Sequence, residues 1–135
     1  MTSALVAFDA SVIVRAALGE SERAFEWIRD VDAREAEGVA PDLIWLEVAN
    51  ALAGYVRYGR ISLEQGRRAL AAAVRLPLRT LTAHELAAPS FAVALERGLS
   101  VYDACYALVA EAERAVLVTA DRQLAGAAKR SELLA

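Results

Sequence analysis

Four acidic residues fall where acids are out of place. Asp9 ends the apolar run Leu5-Val6-Ala7-Phe8, and Asp121 follows the run Ala115-Val116-Leu117-Val118 by three positions. Glu47 and Asn50 are the polar residues of the otherwise apolar stretch Leu43 to Val56, three positions apart and so on one helix face. Asp103 is the only charge near the start of the apolar helix beginning at Leu99-Ser100-Val101. A helix apolar all round is expected to be mostly buried, and a buried carboxylate without partners costs more than a domain with about 5–15 kcal/mol of stability can absorb. Such acids must be compensated, neutralised or used. If they converge they repel, and a hard divalent cation removes the conflict; a ligand set made only of oxygen selects Mg²⁺ or Mn²⁺ over Zn²⁺. His84 and Cys105 are the only histidine and the only cysteine. That rules out zinc-ligand spacing, a thiol–imidazole pair and an internal disulfide. No glycine-rich phosphate loop is present either.

Each acid also has an ordinary role open to it. Asp9 and Asp121 fit turn or helix N-cap positions, Asp103 fits a cap of its own helix, and Glu47 fits a pair with one of the fourteen arginines. It is the joint pattern that favours a site. Around it, Asn50 is either a satisfied core amide or a support for Glu47. Thr119 either caps the last helix or binds a metal-bound water, and Ser11 is a further hydroxyl two residues after Asp9. Arg15 and Arg122 lie near the expected rim as candidate phosphate contacts. Cys105 reads as a small buried hydrophobe and His84 as a surface residue at a helix start.

The elements that must position these residues alternate between strand and helix. Leu5–Phe8, Val39-Ala40 and Ala115–Val118 read as strands, and Leu76–Leu81 as an edge strand because of Pro77. Helices follow Asp9 and Ser21, then run from Leu43 to Tyr58 behind Pro41-Asp42. Further helices run from a Ser62/Gln65 capping box to Val74, from His84 to Arg97, from Val101 to Glu113 and from Asp121 to Ala127. Apolar strands alternating with helices predict a three-layer α/β/α sandwich with a short, mainly parallel central sheet, formed by residues 1–135 as one domain. Asp9 and Asp121 then lie past the carboxyl ends of parallel strands, where such folds place their sites.

With 135 residues, 57% of them hydrophobic, the chain can build a core without disulfide or metal support. Its net charge of −3 excludes a binder that holds nucleic acid by bulk charge, but not a nuclease whose cations are bound metal. The start MTSALVAFDA lacks the features of a signal peptide and no run is long enough to span a bilayer, so a cytoplasmic protein with no membrane association is expected.

Four segments, Ala7-Phe8-Asp9-Ala10-Ser11-Val12, Glu47-Val48-Ala49-Asn50-Ala51-Leu52, Tyr102-Asp103-Ala104-Cys105-Tyr106-Ala107-Leu108 and Leu117-Val118-Thr119-Ala120-Asp121-Arg122-Gln123-Leu124, resemble in order the motifs of PIN-domain ribonucleases. The nearest branch is that of VapC toxins from bacterial toxin–antitoxin pairs. The resemblance implies a Mg²⁺- or Mn²⁺-dependent endoribonuclease, a homodimer restrained by a VapB-type antitoxin. Its acidic quartet is Asp9, Glu47, Asp103 and Asp121, and its products carry 3′-hydroxyl and 5′-phosphate ends. Members of the family commonly close with an apolar strand, whereas Lys129 to Leu134 offers at most a short one. Two other classes fit less well. A haloacid-dehalogenase-like phosphatase needs an acid where Ser11 stands, and a receiver domain needs a lysine after a late strand, far from the position of Lys129. An inert binding scaffold gains nothing from four buried acids.

Overall fold

In the computed structural model, which describes residues 4–134, twelve elements alternate along the chain. They are β1 (Ala4–Phe8), α1 (Ala10–Ala17), α2 (Glu22–Asp32), β2 (Ala36–Pro41), α3 (Ile44–Arg57), α4 (Leu63–Ala73), β3 (Arg79–Leu81), α5 (Ala83–Arg97), α6 (Val101–Ala112), β4 (Val116–Thr119), α7 (Arg122–Ala127) and β5 (Ser131–Leu133). The sheet order is β3-β2-β1-β4-β5 and every pairing is parallel. From β1 the chain winds outward through β2 to β3, then crosses back to β4 and β5. The winding reverses between β1 and β4, and that switch point opens a crevice at the carboxyl ends of the strands.

Val6, Phe8, Val39, Leu117 and Val118 are fully buried, as strands covered on both faces require. One face is covered by α1 and α2 and the other by α6, with α5 and α7 beside α6. By contrast α3 rests on α1 and α4 rather than on the sheet. The expectation of a helix buried all round therefore fails: Leu46 is 73% exposed and Asn50 is exposed, because only one side of α3 has a neighbour.

Local signals behave as their chemistry dictates. The Ser62/Gln65 capping box is fully formed, Ser21 and Thr82 cap α2 and α5, and Gly98 ends α5 with a left-handed φ of 67°. Asp42 departs from expectation. It does not cap α3, whose first residues lack a side-chain cap; its carboxylate instead accepts from the Ala83 N–H at 3.0 Å and so joins the end of β2 to the start of α5. β2 also runs longer than Val39-Ala40, and β5 does form. β5 is held by Glu132, whose carboxylate takes a two-pronged Arg23 contact at 2.8 and 3.0 Å and the Trp27 indole N–H at 3.3 Å.

Candidate active site

A cleft of about 340 Å³ opens at the switch point, lined by Asp9, Ser11, Arg15, Glu47, Asp103 and Tyr106, with Ala10, Val14, Ala51 and Tyr55. Three of the four acids thus share one space, each supplied by a different part of the chain.

Asp9 is the N-cap of α1. Its Oδ1 accepts from the Ser11 N–H at 3.1 Å and from the Ser11 hydroxyl, and its Oδ2 accepts from the Thr119 hydroxyl. Each hydroxyl in turn accepts from a backbone N–H beyond β4: Ala120 N to Ser11 Oγ at 3.1 Å, and Asp121 N to Thr119 Oγ1 at 3.0 Å. Each hydroxyl thus accepts from the backbone and donates its proton to the Asp9 carboxylate. Burial pushes the Asp9 carboxyl above its usual range and the Asp103 charge adds to that push, while the Ser11 and Thr119 bonds pull against it.

Glu47 stands in the first turn of α3, half-buried, and its Oε1 accepts from the Tyr106 hydroxyl. Burial raises its pKa, as do the charges of Asp9 and Asp103, against the lowering effect of Tyr106. Asp103 lies in the first turn of α6, whose cap is Ser100, so the acid is free of the capping role open to it in the sequence. Its pKa is raised by burial and then by the charge of Asp121. Asp121 caps α7 through Leu124 N at 3.1 Å, is exposed, and does not line the cleft; it acts on the cleft through Asp103.

The remaining candidates divide. Thr119 neither caps α7 nor faces open solvent; it is fully buried and grips Asp9, as Ser11 does. Asn50 is neither a core amide nor a support for Glu47: it is exposed and its side chain makes no hydrogen bond among the described residues, because that side of α3 faces solvent. Arg15 lines the cleft and Arg122 is exposed outside it. Burial pushes the Cys105 thiol up to about 12, which removes it as a nucleophile. His84 is exposed, as expected. Tyr106 was hidden in the sequence by its apolar surroundings; its place three residues after Asp103 on one helix is the signal that could have found it.

The donor set is all oxygen and mutually repelling, which suits a hard cation. Among the described residues no three of these side chains stand close enough to form a ready-made cage. Mg²⁺ does not need one, since it binds through one or two carboxylates and keeps several waters.

The PIN-domain pattern matches residues 6–130, nearly the whole chain. The chain belongs to the PIN-domain family. Among relatives, Ribonuclease VapC3 of Pyrobaculum aerophilum is 35% identical over 120 residues, 87% of this chain and 89% of its own. Among solved structures, PAE2754 of Pyrobaculum aerophilum superposes with a TM-score of 0.70 at 29% identity, covering 97% of this chain and 91% of that one. VapBC2 of Rickettsia felis, bound to a DNA fragment from their promoter, shares the fold with a TM-score of 0.64 at 15% identity, covering 97% of this chain and 99% of that one.

Proposed function

We propose that this chain is a metal-dependent endoribonuclease and the toxin of a VapBC-type toxin–antitoxin pair, with Asp9, Glu47 and Asp103 as its catalytic carboxylates and Asp121 supporting Asp103. The observation that carries this reading is that these acids share a cleft at the topological switch point while none of the three forms an ion pair among the described residues. The ribonuclease relative at 35% identity supports the substrate class.

Asp9, Glu47 and Asp103 would hold Mg²⁺ or Mn²⁺, which when bound supplies Lewis acidity at the scissile phosphate and a more acidic water. Asp9 is oriented before any ligand arrives, with both lone pairs of Oδ1 occupied and one on Oδ2 left open. Arg15 is the one cation lining the cleft and meets the RNA phosphate; Arg122, beside Asp121, contacts the strand beyond it. The protein partners are a VapB-type antitoxin and a second copy of the chain. Apolar surface is available to them in a groove of about 380 Å³ that includes Ile13, Phe25, Ile28 and Leu76, and on α5, where Phe91 and Leu95 are 59% and 73% exposed. The RNA substrate places the protein in the cytoplasm, and no helix among the described residues is long and apolar enough to cross a membrane.

The test is incubation of antitoxin-free protein with total RNA and Mg²⁺ or Mn²⁺, followed by mapping of the ends. Discrete fragments with 3′-hydroxyl and 5′-phosphate ends are expected, lost with chelator and with Asp103→Asn. Intact RNA in the presence of metal, or wild-type cleavage by a folded Asp103→Asn variant, overturns the assignment.

A further inference from the structure

The three cleft carboxylates are held in unequal ways. Asp9 is gripped by three donors on two elements. Asp103 has a short side chain in the first turn of α6, where the helix end favours an anion. Glu47 also stands in the first turn of its helix but lacks the grip that holds Asp9. It projects from α3, which packs mainly on α1 and α4, on a side chain with three rotatable bonds, and the charges of Asp9 and Asp103 both act against it. Left to itself such a group turns out to solvent, where its charge is better hydrated. Its one hydrogen bond among the described residues comes from Tyr106, 59 positions away on α6.

We propose that Tyr106 is a positioning residue of the proposed nuclease site: its hydroxyl fixes Glu47 through Oε1 and leaves Oε2 free for a ligand. The tyrosine is well placed to act as a fixed post. It is 2% exposed and part of the hydrophobic core, and it also lines the cleft. A buried hydroxyl requires a partner, and Glu47 is that partner. Asp103 and Tyr106 lie three residues apart on one face of α6, so this helix both presents one acid and sets the position of another.

The inference rests on the nuclease reading but is tested apart from it. Tyr106→Phe keeps the ring and removes the oxygen. Mn²⁺ affinity, measured without RNA by electron paramagnetic resonance of the free ion, is expected to weaken about tenfold. Added Mn²⁺ should then restore single-turnover cleavage. In Tyr106→Phe/Glu47→Gln the affinity should fall no further than in Glu47→Gln alone, because the tyrosine acts through that carboxylate. A crystal structure of metal-free Tyr106→Phe should find Glu47 turned out of the cleft. Unchanged Mn²⁺ affinity in Tyr106→Phe, or a loss that repeats in full on the Glu47→Gln background, overturns the proposal. If the wild-type protein cuts no RNA while Tyr106→Phe still frees Glu47, the nuclease reading fails and the positioning role stands.

Discussion

Glu111 and Glu132 meet surroundings opposite to those of Asp9, Glu47 and Asp103. Glu111 receives two hydrogen bonds from Arg97, at 2.6 and 2.8 Å, and Glu132 receives two from Arg23. In both, the guanidinium holds the carboxyl below its usual range. The cleft acids have no such partner and their pKa values are raised, first of all by burial. A chain with fourteen arginines has the means to pair its carboxylates, and it does so at the far ends of α5 and α6 and on the edge strand β5. Leaving the switch-point acids unpaired forgoes stability there. The difference teaches where to look for chemistry: where charge is present, partly desolvated and lacks a counter-ion of its own.

The contrast can be broken most sharply at Asp103. Asp103→Asn removes one of the mutually repelling charges and is expected to lower RNA cleavage on the order of 10³-fold. Its unfolding free energy, read from a denaturant titration, should stay level or rise by up to about 1 kcal/mol. A clear fall in stability would show that Asp103 has a favourable partner and belongs with the paired set. Glu111→Gln should do the reverse. Its pair with Arg97 is only 19% and 16% exposed, so unfolding is expected to become easier by about 2 kcal/mol with cleavage unaffected.

The same pair gives a pH signature. The folded pKa of Glu111 is depressed, so its contribution is complete above the unfolded glutamate value of about 4.3 and is lost as pH falls from there through the folded value. Thermal melts of wild type and Glu111→Gln should converge over that interval and stay parallel above it; a constant gap at low pH would sink the assignment. The smallest effect is expected from Arg23→Met. Arg23 is half exposed, so its loss should cost less than about 1 kcal/mol, and faster amide exchange at Ser131–Leu133 is the finer readout.

The strands were legible because four-residue apolar runs such as Leu5–Phe8 and Ala115–Val118 have nowhere to go but the middle of a covered sheet. Helix ends were legible where a short polar side chain satisfies the first N–H groups, as at Ser21 and Ser62. Less could be read where tertiary contact decides. An apolar stretch with two polar residues suggested that both face inward on α3, yet Glu47 does and Asn50 does not, because the helix has a neighbour on one side only. Thr119 looked like a cap, since a hydroxyl just before a helix usually is; Asp121 took that place and left the threonine for Asp9. The tyrosine behind Glu47 escaped notice because it belongs to the buried core, while its hydroxyl bonds to Glu47.

The grip on Asp9 has a practical consequence. Each hydroxyl accepts one backbone N–H, from Ala120 or Asp121, and donates its own proton to Asp9, so both oxygens of the residue at position 9 receive hydrogens. An asparagine there would set an amide N–H₂ against a hydroxyl proton, which would have to swing away from position 9 and lose its acceptor. Asp9→Asn would therefore cost a hydrogen bond at the seam between β1 and β4 as well as the chemistry, whereas Asp103→Asn leaves that seam intact.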